Sequence, residues 1–289
     1  FKSLSQYDWG GDVLFYGKFV KATEVPWHYT LSWIMISTPM LYLLLFAFSY
    51  IRLTLRLPLA VLWWKQLPVE LEQEHRRLIF WCLFTAPMLA VVVFQSTLYD
   101  AWRQMFFVYP AMLIIAGETL VYLTKVADRT GPTLRRWLPL TVYGIVLVQL
   151  VGIAIFMIRN HPHQNVYFNR LAVANAQTQF ELDYWGMSNK QVLEQLLAHD
   201  TRDTIRIRAA NWAVSANKDI LTPAQRKRLK YVGYEEADYY ISNHREWRDY
   251  YRLRDHQAPF DQPVIEIKVQ GNTICGAYRA VGPLPKYPE

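Results

Sequence analysis

The chain has 289 residues, 52% of them hydrophobic and 15% aromatic, with 11 Trp, an apolar content above that of an ordinary soluble domain. Its net charge of +7 is unevenly spread: residues 1–159 hold 14 Lys/Arg against 9 Asp/Glu, whereas 160–289 hold 17 against 15. An excess that lies mostly in the connections of the apolar half matches the flanking charges of a membrane protein and not a nucleic-acid-binding face.

Residue 1 is Phe, and no basic segment with a short apolar core and a small-residue cleavage site precedes the first long apolar run. The chain therefore reads as a piece lacking its natural start rather than one opening on a signal peptide. Residues 1–28 form a polar extracytoplasmic juxtamembrane segment, with Asp8 and Asp12 in "YDWGGD". Four stretches then approach the roughly 20 apolar residues needed to cross about 30 Å of hydrocarbon. They run over about 29–51, 78–98, 104–123 and 137–158, and they predict a polytopic α-helical membrane domain of four transmembrane helices over 29–159. Pro39, Pro87, Pro110 and Pro139 kink or start these helices without forbidding a crossing. The loop 52–77 carries Arg52, Arg56, Lys65, Arg76 and Arg77, and the loop 124–136 carries Lys125, Arg129, Arg135 and Arg136. Both are cytoplasmic by the positive-inside rule, which places 1–28, the short connection 99–103 and all of 160–289 outside.

From residue 160 the pattern changes to that of a small extracytoplasmic α/β domain. Ser188 is positioned to cap a helix through about His199, and Thr222 followed by Pro223 starts another. "TIRIRAA", "ADYYIS", "VIEIKVQ" and "TICGAYRAV" are rich in strand formers, and the last two flank Gly271-Asn272, which suits a tight hairpin. Arg226, Lys227, Arg228 and Lys230 form a basic cluster that is either a solvated helix face or a contact for anionic headgroups. Cys82 and Cys275, far apart, make no disulfide framework or metal motif.

The topology gathers three polar and aromatic groups at one outer boundary: "VPWHYT" (25–30), "LYDAWRQ" (98–104) and "NHPHQNVYFN" (160–169). Arg103 either anchors a helix end or grips a lipid phosphate bidentately. Asp100 either caps a helix or pairs with Arg103 as a structural group, or else orients that Arg or binds a hydroxyl. Trp27, Tyr29, Trp102 and Tyr109 form an interfacial aromatic belt or a stacking platform for a sugar. His161 and His163 lie two apart, a poor metal-binding spacing without accompanying Cys or carboxylates, so they are assigned to hydrogen bonding and loop structure and no metal is expected. Glu118 lies near the cytoplasmic end of its span and is expected to snorkel towards Lys125.

The segments "VLFYGKFVKATEVPWHYTLSWIMISTPMLYLLLF", "YDAWRQMFFVYPAMLIIAG", "HPHQNVYFNRL" and "FELDYWGMSNKQVLEQL", in this order, resemble the C-terminal part of bacterial polytopic glycosyltransferases of the GT-C class. These are related to protein O-mannosyltransferases and family-39-like enzymes, and the resemblance covers about residues 13–197. It implies a multi-pass protein of the bacterial inner (cytoplasmic) membrane that transfers a sugar from a polyprenyl-phosphate carrier to an extracytoplasmic acceptor hydroxyl, with inversion. The lipid-linked sugar is then the donor, no separate cofactor is implied, and the partners are membrane lipids, the carrier and other membrane subunits, not nucleic acid. By position the resemblance makes Arg103 a phosphate contact surrounded by Tyr99, Asp100 and Trp102, with Pro26, Trp27, His28 and Tyr29 lining the membrane entrance. It also places the catalytic acidic loop upstream of Phe1, so that neither Asp8 nor Asp12 is that motif. Gln104 stands where relatives often carry His, which removes a proton-transferring group from that position. The alternative reading is a non-catalytic membrane subunit or scaffold related to such enzymes.

Overall fold

The computed structural model describes residues 9–62 and 71–281, with side chains described except over 57–74; Asp8 and Lys65 lie outside the described residues. The chain divides into two compact units, one holding the residues up to Asp12 together with Lys21–Ile158, the other Val13–Val20 together with the residues from Arg159 on. The segment expected as a single juxtamembrane stretch over 1–28 is thus shared between the two.

The first unit is helical. The expected first span breaks at Thr38-Pro39 into α1 (Tyr29–Ser37) and α2 (Met40–Leu62). The residue before a proline is pushed out of the helical region, and Thr38 is extended at ψ 139°. Next come α3 (Leu71–Val93), a 3-10 segment Arg103–Val108 leading directly into α4 (Tyr109–Asp128), and α5 (Pro132–Arg159). The loop expected over 52–77 is therefore helical up to Leu62 and again from Leu71. Pro110 sits in the first turn of α4, where no intrahelical N–H is lost, while Pro87 and Pro139 lie inside α3 and α5.

Among the described residues, three helices are long and apolar enough to cross a membrane: His75–Val93, Arg103–Asp128 and Pro132–Arg159. Helix α5 has no buried residue, and Val148 and Ile158 are 73% and 78% exposed. A helix apolar on every side is at home in hydrocarbon rather than water.

Helix α4 packs mainly on α2 and then on α3, burying Val108, Met112 and Ile115. Small hydroxyl residues bind the helices across this seam. Thr119 donates to the Leu45 carbonyl at 2.6 Å, so its contact with Ser49 Oγ, also 2.6 Å, must be donated by Ser49. Tyr50 meets Thr85 at 2.9 Å, and Trp81 Nε1 donates to Thr54 at 2.9 Å. Such bonds hold helices together where the hydrophobic effect supplies no net drive.

The second unit is α/β. Strands β1 (Asp12–Phe15) and β2 (Lys18–Lys21) form a hairpin turned by Tyr16 and Gly17, both at positive φ, and Gly17 N–H donates to the Gln179 carbonyl at 3.0 Å. After the short turn α6 (Ala176–Gln179) and α7 (Ser188–His199) come β3 (Ile205–Ala209), α8 (Trp212–Asn217), α9 (Pro223–Arg228), β4 (Leu229–Tyr231), β5 (Tyr239–Ser242), α10 (Trp247–Arg254), β6 (Pro263–Val269) and β7 (Asn272–Arg279). The sheet order is β4-β3-β5-β7-β6, with β3 parallel to β4 and β5, and β7 antiparallel to β5 and β6. Helix α7 covers β6 and β7 with a stripe of Val192, Leu193, Leu196 and Leu197, the period of a half-buried helix.

Of three local expectations, two are adjusted and the helix start at Thr222-Pro223 holds. The β6–β7 turn is Gln270-Gly271, both at positive φ, while Asn272 opens β7 and receives Gln177 N–H at 3.1 Å on its side chain. Helix α9 has its full capping box, Thr222 with Gln225, and Pro223 at its start. Ser188 is the first residue of α7 and not its cap. The buried Asp183 carboxylate accepts the N–H groups of Met187 and Ser188 at 3.1 and 2.8 Å, together with the Ser188 hydroxyl. Asp183→Ala is therefore expected to destabilise this unit by about 1–2 kcal/mol and to speed hydrogen exchange at Met187 and Ser188; unchanged exchange there would remove the cap assignment.

Candidate functional site

The sharpest backbone feature of the helical unit lies at its most polar sequence. Chain direction reverses after α3 through Asp100 and Ala101, at φ 54° and 61°. Neither is glycine, and each left-handed residue of this kind costs on the order of 1 kcal/mol. The turn places Asp100 beneath Arg103. Their side chains meet at 3.0 Å, Asp100 being 6% exposed and Arg103 32%. The Arg103 guanidinium also lies 4.9 Å from the centre of the Tyr99 ring, and Trp9 stacks on Tyr99 at 4.6 Å. The cation is thus held by a carboxylate and an aromatic face at the head of an apolar span.

Trp102 fixes this turn to α1. Its indole N–H donates to Ser37 Oγ at 2.9 Å, and Ser37 in turn donates to the Trp33 carbonyl at 2.6 Å. Trp102 also packs on Phe106 and Tyr109. Tyr29 is fully buried, its ring 6.3 Å from Trp33. Leu98 N–H donates to Ala22 O at 3.1 Å, so the stretches around 25–30 and 98–104 do converge within this unit. Tyr99, Asp100, Trp102 and Arg103 form one cluster, Tyr29 joins it through Trp33 and Ser37, and Trp27 stands apart at 68% exposure beside His28. The Gln104 amide has both polar atoms buried with no hydrogen-bond partner, an arrangement that costs about 1–3 kcal/mol unless something completes it.

His161 and His163 belong to the other unit. His161 Nδ1 meets Gln164 at 2.8 Å, and His163 Nε2 meets Gln191 of α7 at 2.7 Å, so both order the chain leading into the α/β fold. No group of three or more His, Cys, Asp or Glu able to hold a metal occurs among the described residues. Of the basic cluster, Arg228 donates to the carbonyls of Leu197, Asp200 and Arg202 and so closes the C-terminal end of α7. Cys82 and Cys275 are free thiols.

A second polar centre, in the α/β unit, was hidden in the sequence. Asp249 lies in the charged string "REWRDYYRLR" and is 2% exposed. Its carboxylate accepts Tyr240 OH at 2.9 Å and Ser242 Oγ at 2.6 Å, with Arg252 at 3.8 Å. Ser242 Oγ also receives His244 N–H at 2.9 Å, and His244 Nε2 meets Tyr278 OH at 2.8 Å. The one available signal was spacing, because Asp249 and Arg252 stand three apart on one helix face. The neighbouring cavity, lined by Glu181, Asn243, His244 and Arg245, has a volume of about 20 Å³. That admits a single water and no substrate, so this centre holds the fold together.

Comparison of the chain with family models, with curated proteins and with solved structures returns no match.

The buried centre makes stability pH-dependent in two opposite senses. Burial, opposed by the hydrogen bonds from Ser242 and Tyr240 and by the Arg252 charge, pushes the Asp249 carboxyl up to about 6, and burial holds the His244 imidazole down to about 3. A carboxyl raised above its unfolded value near 3.8 contributes fully below about pH 4 and loses that contribution as pH rises to about 6. An imidazole lowered from 6.5 contributes fully above that value and loses its contribution as pH falls. Asp249→Asn is therefore expected to leave a stability that climbs from pH 4 to 6.5, and His244→Asn one that declines over the same range. Denaturant titration of the full chain, followed by near-ultraviolet circular dichroism, checks this; equal slopes in the two variants would overturn it.

Proposed function

We propose that this chain is part of an integral membrane glycosyltransferase that moves a sugar from a polyprenyl-phosphate carrier to an acceptor hydroxyl, with Arg103 as the contact for the carrier phosphate. The observation that carries the reading is the cation itself: a guanidinium one-third exposed at the head of an apolar span, held by a buried carboxylate. Sugar transfer from a phosphate ester requires charge stabilisation on the departing phosphate, and a pre-positioned Arg supplies it without reorganising during the reaction. A lipid carrier, its phosphate held at the membrane–water boundary, needs that cation at the head of a span. The resemblance of four ordered segments to GT-C enzymes supports the same chemistry.

In this reading Met40–Leu62 serves as a fourth crossing, the Arg103 turn faces the extracytoplasmic side of a bacterial inner membrane, and the α/β unit lies on that side. Tyr99 and Trp102 flank the donor, and the Gln104 amide offers a donor and an acceptor beside it. Asp100 orients Arg103. Engaged with that cation, it is not the base that deprotonates the acceptor.

That engagement also favours the second reading, a non-catalytic membrane subunit that binds polyprenyl phosphate, since the carboxylate brought to Arg103 is already paired. Transfer of labelled sugar from a polyprenyl-phosphate donor in proteoliposomes separates the two. Under the enzyme reading Arg103→Ala lowers the rate by about 100-fold, Arg103→Lys recovers part of it, and both variants insert and fold normally. Transfer by Arg103→Ala at the original rate would remove the phosphate assignment. Carrier binding without any transfer by the unaltered chain would establish the subunit reading instead.

A further inference from the structure

The helical unit carries a second charged cluster at the far end of the same span. Lys125 follows Arg103 by 22 residues, which at 1.5 Å per helical residue separates them by about 33 Å along the helix, roughly the thickness of a hydrocarbon core. There Arg76 and Arg77 of α3 face Glu118 and Lys125 of α4 around a cavity of about 450 Å³ floored by Leu53 and Phe80. Glu118 does not reach for Lys125, as the sequence suggested, but pairs with Arg77 at 2.8 Å. Among the described residues that line the cavity, Arg76, Arg77 and Lys125 stand against one carboxylate, Glu118, an excess of two positive charges.

The volume is that of a small-molecule site, and its composition is divided: cations at the rim, aliphatic and aromatic side chains beneath. Glu118 and Lys125 are seven apart, two turns on one face of α4, so the polar rim and the apolar floor are built by the same helices. A soluble anion would use the rim and leave the floor dry. An amphiphile uses both.

We propose that this cavity seats the phosphate headgroup of an anionic phospholipid, its acyl chains lying along the apolar floor between α2, α3 and α4. The site is distinct from the Arg103 turn because one phosphate cannot meet both ends of a membrane-spanning helix. Its role is to fix the register of α3 and α4 at the interface opposite Arg103, where the Arg77–Glu118 pair already joins them. The assignment does not depend on the sugar-transfer reading.

The test uses the full chain in nanodiscs of phosphatidylcholine with a minor fraction of phosphatidylglycerol, and native mass spectrometry to count the lipids retained. Each cation near the surface is worth about a fivefold preference for an anionic lipid. The unaltered chain is expected to retain phosphatidylglycerol over phosphatidylcholine, and the double variant R76Q/K125Q to lose that preference by about tenfold or more. Glu118→Gln disturbs the ion pair but leaves the positive charge, and it is expected to keep the preference. Equal retention by the unaltered chain and the double variant would overturn the proposal, as would loss of the preference in Glu118→Gln to the same extent. Inorganic phosphate separates the two sources of the headgroup chemistry: displacement of the retained phosphatidylglycerol at millimolar concentration would assign the rim to a free anion and overturn the lipid, whereas retention supports it.

Discussion

Hydrocarbon offers no hydrogen-bond partner, and that constraint sorts the polar pairs described in the helical unit. A polar side chain on a crossing helix must either sit at one of its two ends or find a partner within the bundle. Ser49 with Thr119, and Tyr50 with Thr85, are of the second kind and bind the helices to one another. Asp100 with Arg103 is of the first, and Glu118, midway along α4, is matched across the bundle by Arg77 near the start of α3. No charged residue stands between Arg103 and Glu118, so the charged pairs of this span are kept at separate levels.

At the first level the backbone itself is under strain. Two consecutive non-glycine residues in the left-handed region turn the chain so that a 3-10 segment can lead into α4, and the indole of Trp102 and the Asp100 carboxylate hold that turn. Strain of this kind persists where the surroundings over-determine it. What it provides is an arginine whose direction is set in advance by an ion pair and by the Tyr99 ring, in place of a side chain searching many rotamers.

The α/β unit follows another rule, because a charge buried inside a fold needs donors close at hand. Asp183 takes the first amides of α7, and Asp249 takes two hydroxyls. Arg228 takes three carbonyls at the end of α7. Each of these looks like an ordinary surface charge in sequence, and each is used as a joint between elements far apart along the chain.

Apolar run length and the alternation of charge between runs are local quantities. They were enough to mark the long apolar helices, the change of composition near residue 160 and the polarity of 98–104, while runs of strand-forming residues marked β3, β5, β6 and β7 but not the three-residue β4. The break at Pro39 and the capping box at Thr222 are equally local, since each depends on neighbours within a few residues. What only the tertiary structure decided was pairing: that Glu118 meets Arg77 and not Lys125, that Asp249 is buried, that Val13–Val20 belongs with the α/β unit, and that Trp27 stands apart while Trp102 is locked to Ser37. A carboxylate carries no mark in sequence of whether its partner lies three residues or a hundred away. That is settled by which helix faces and strand edges come within hydrogen-bonding reach.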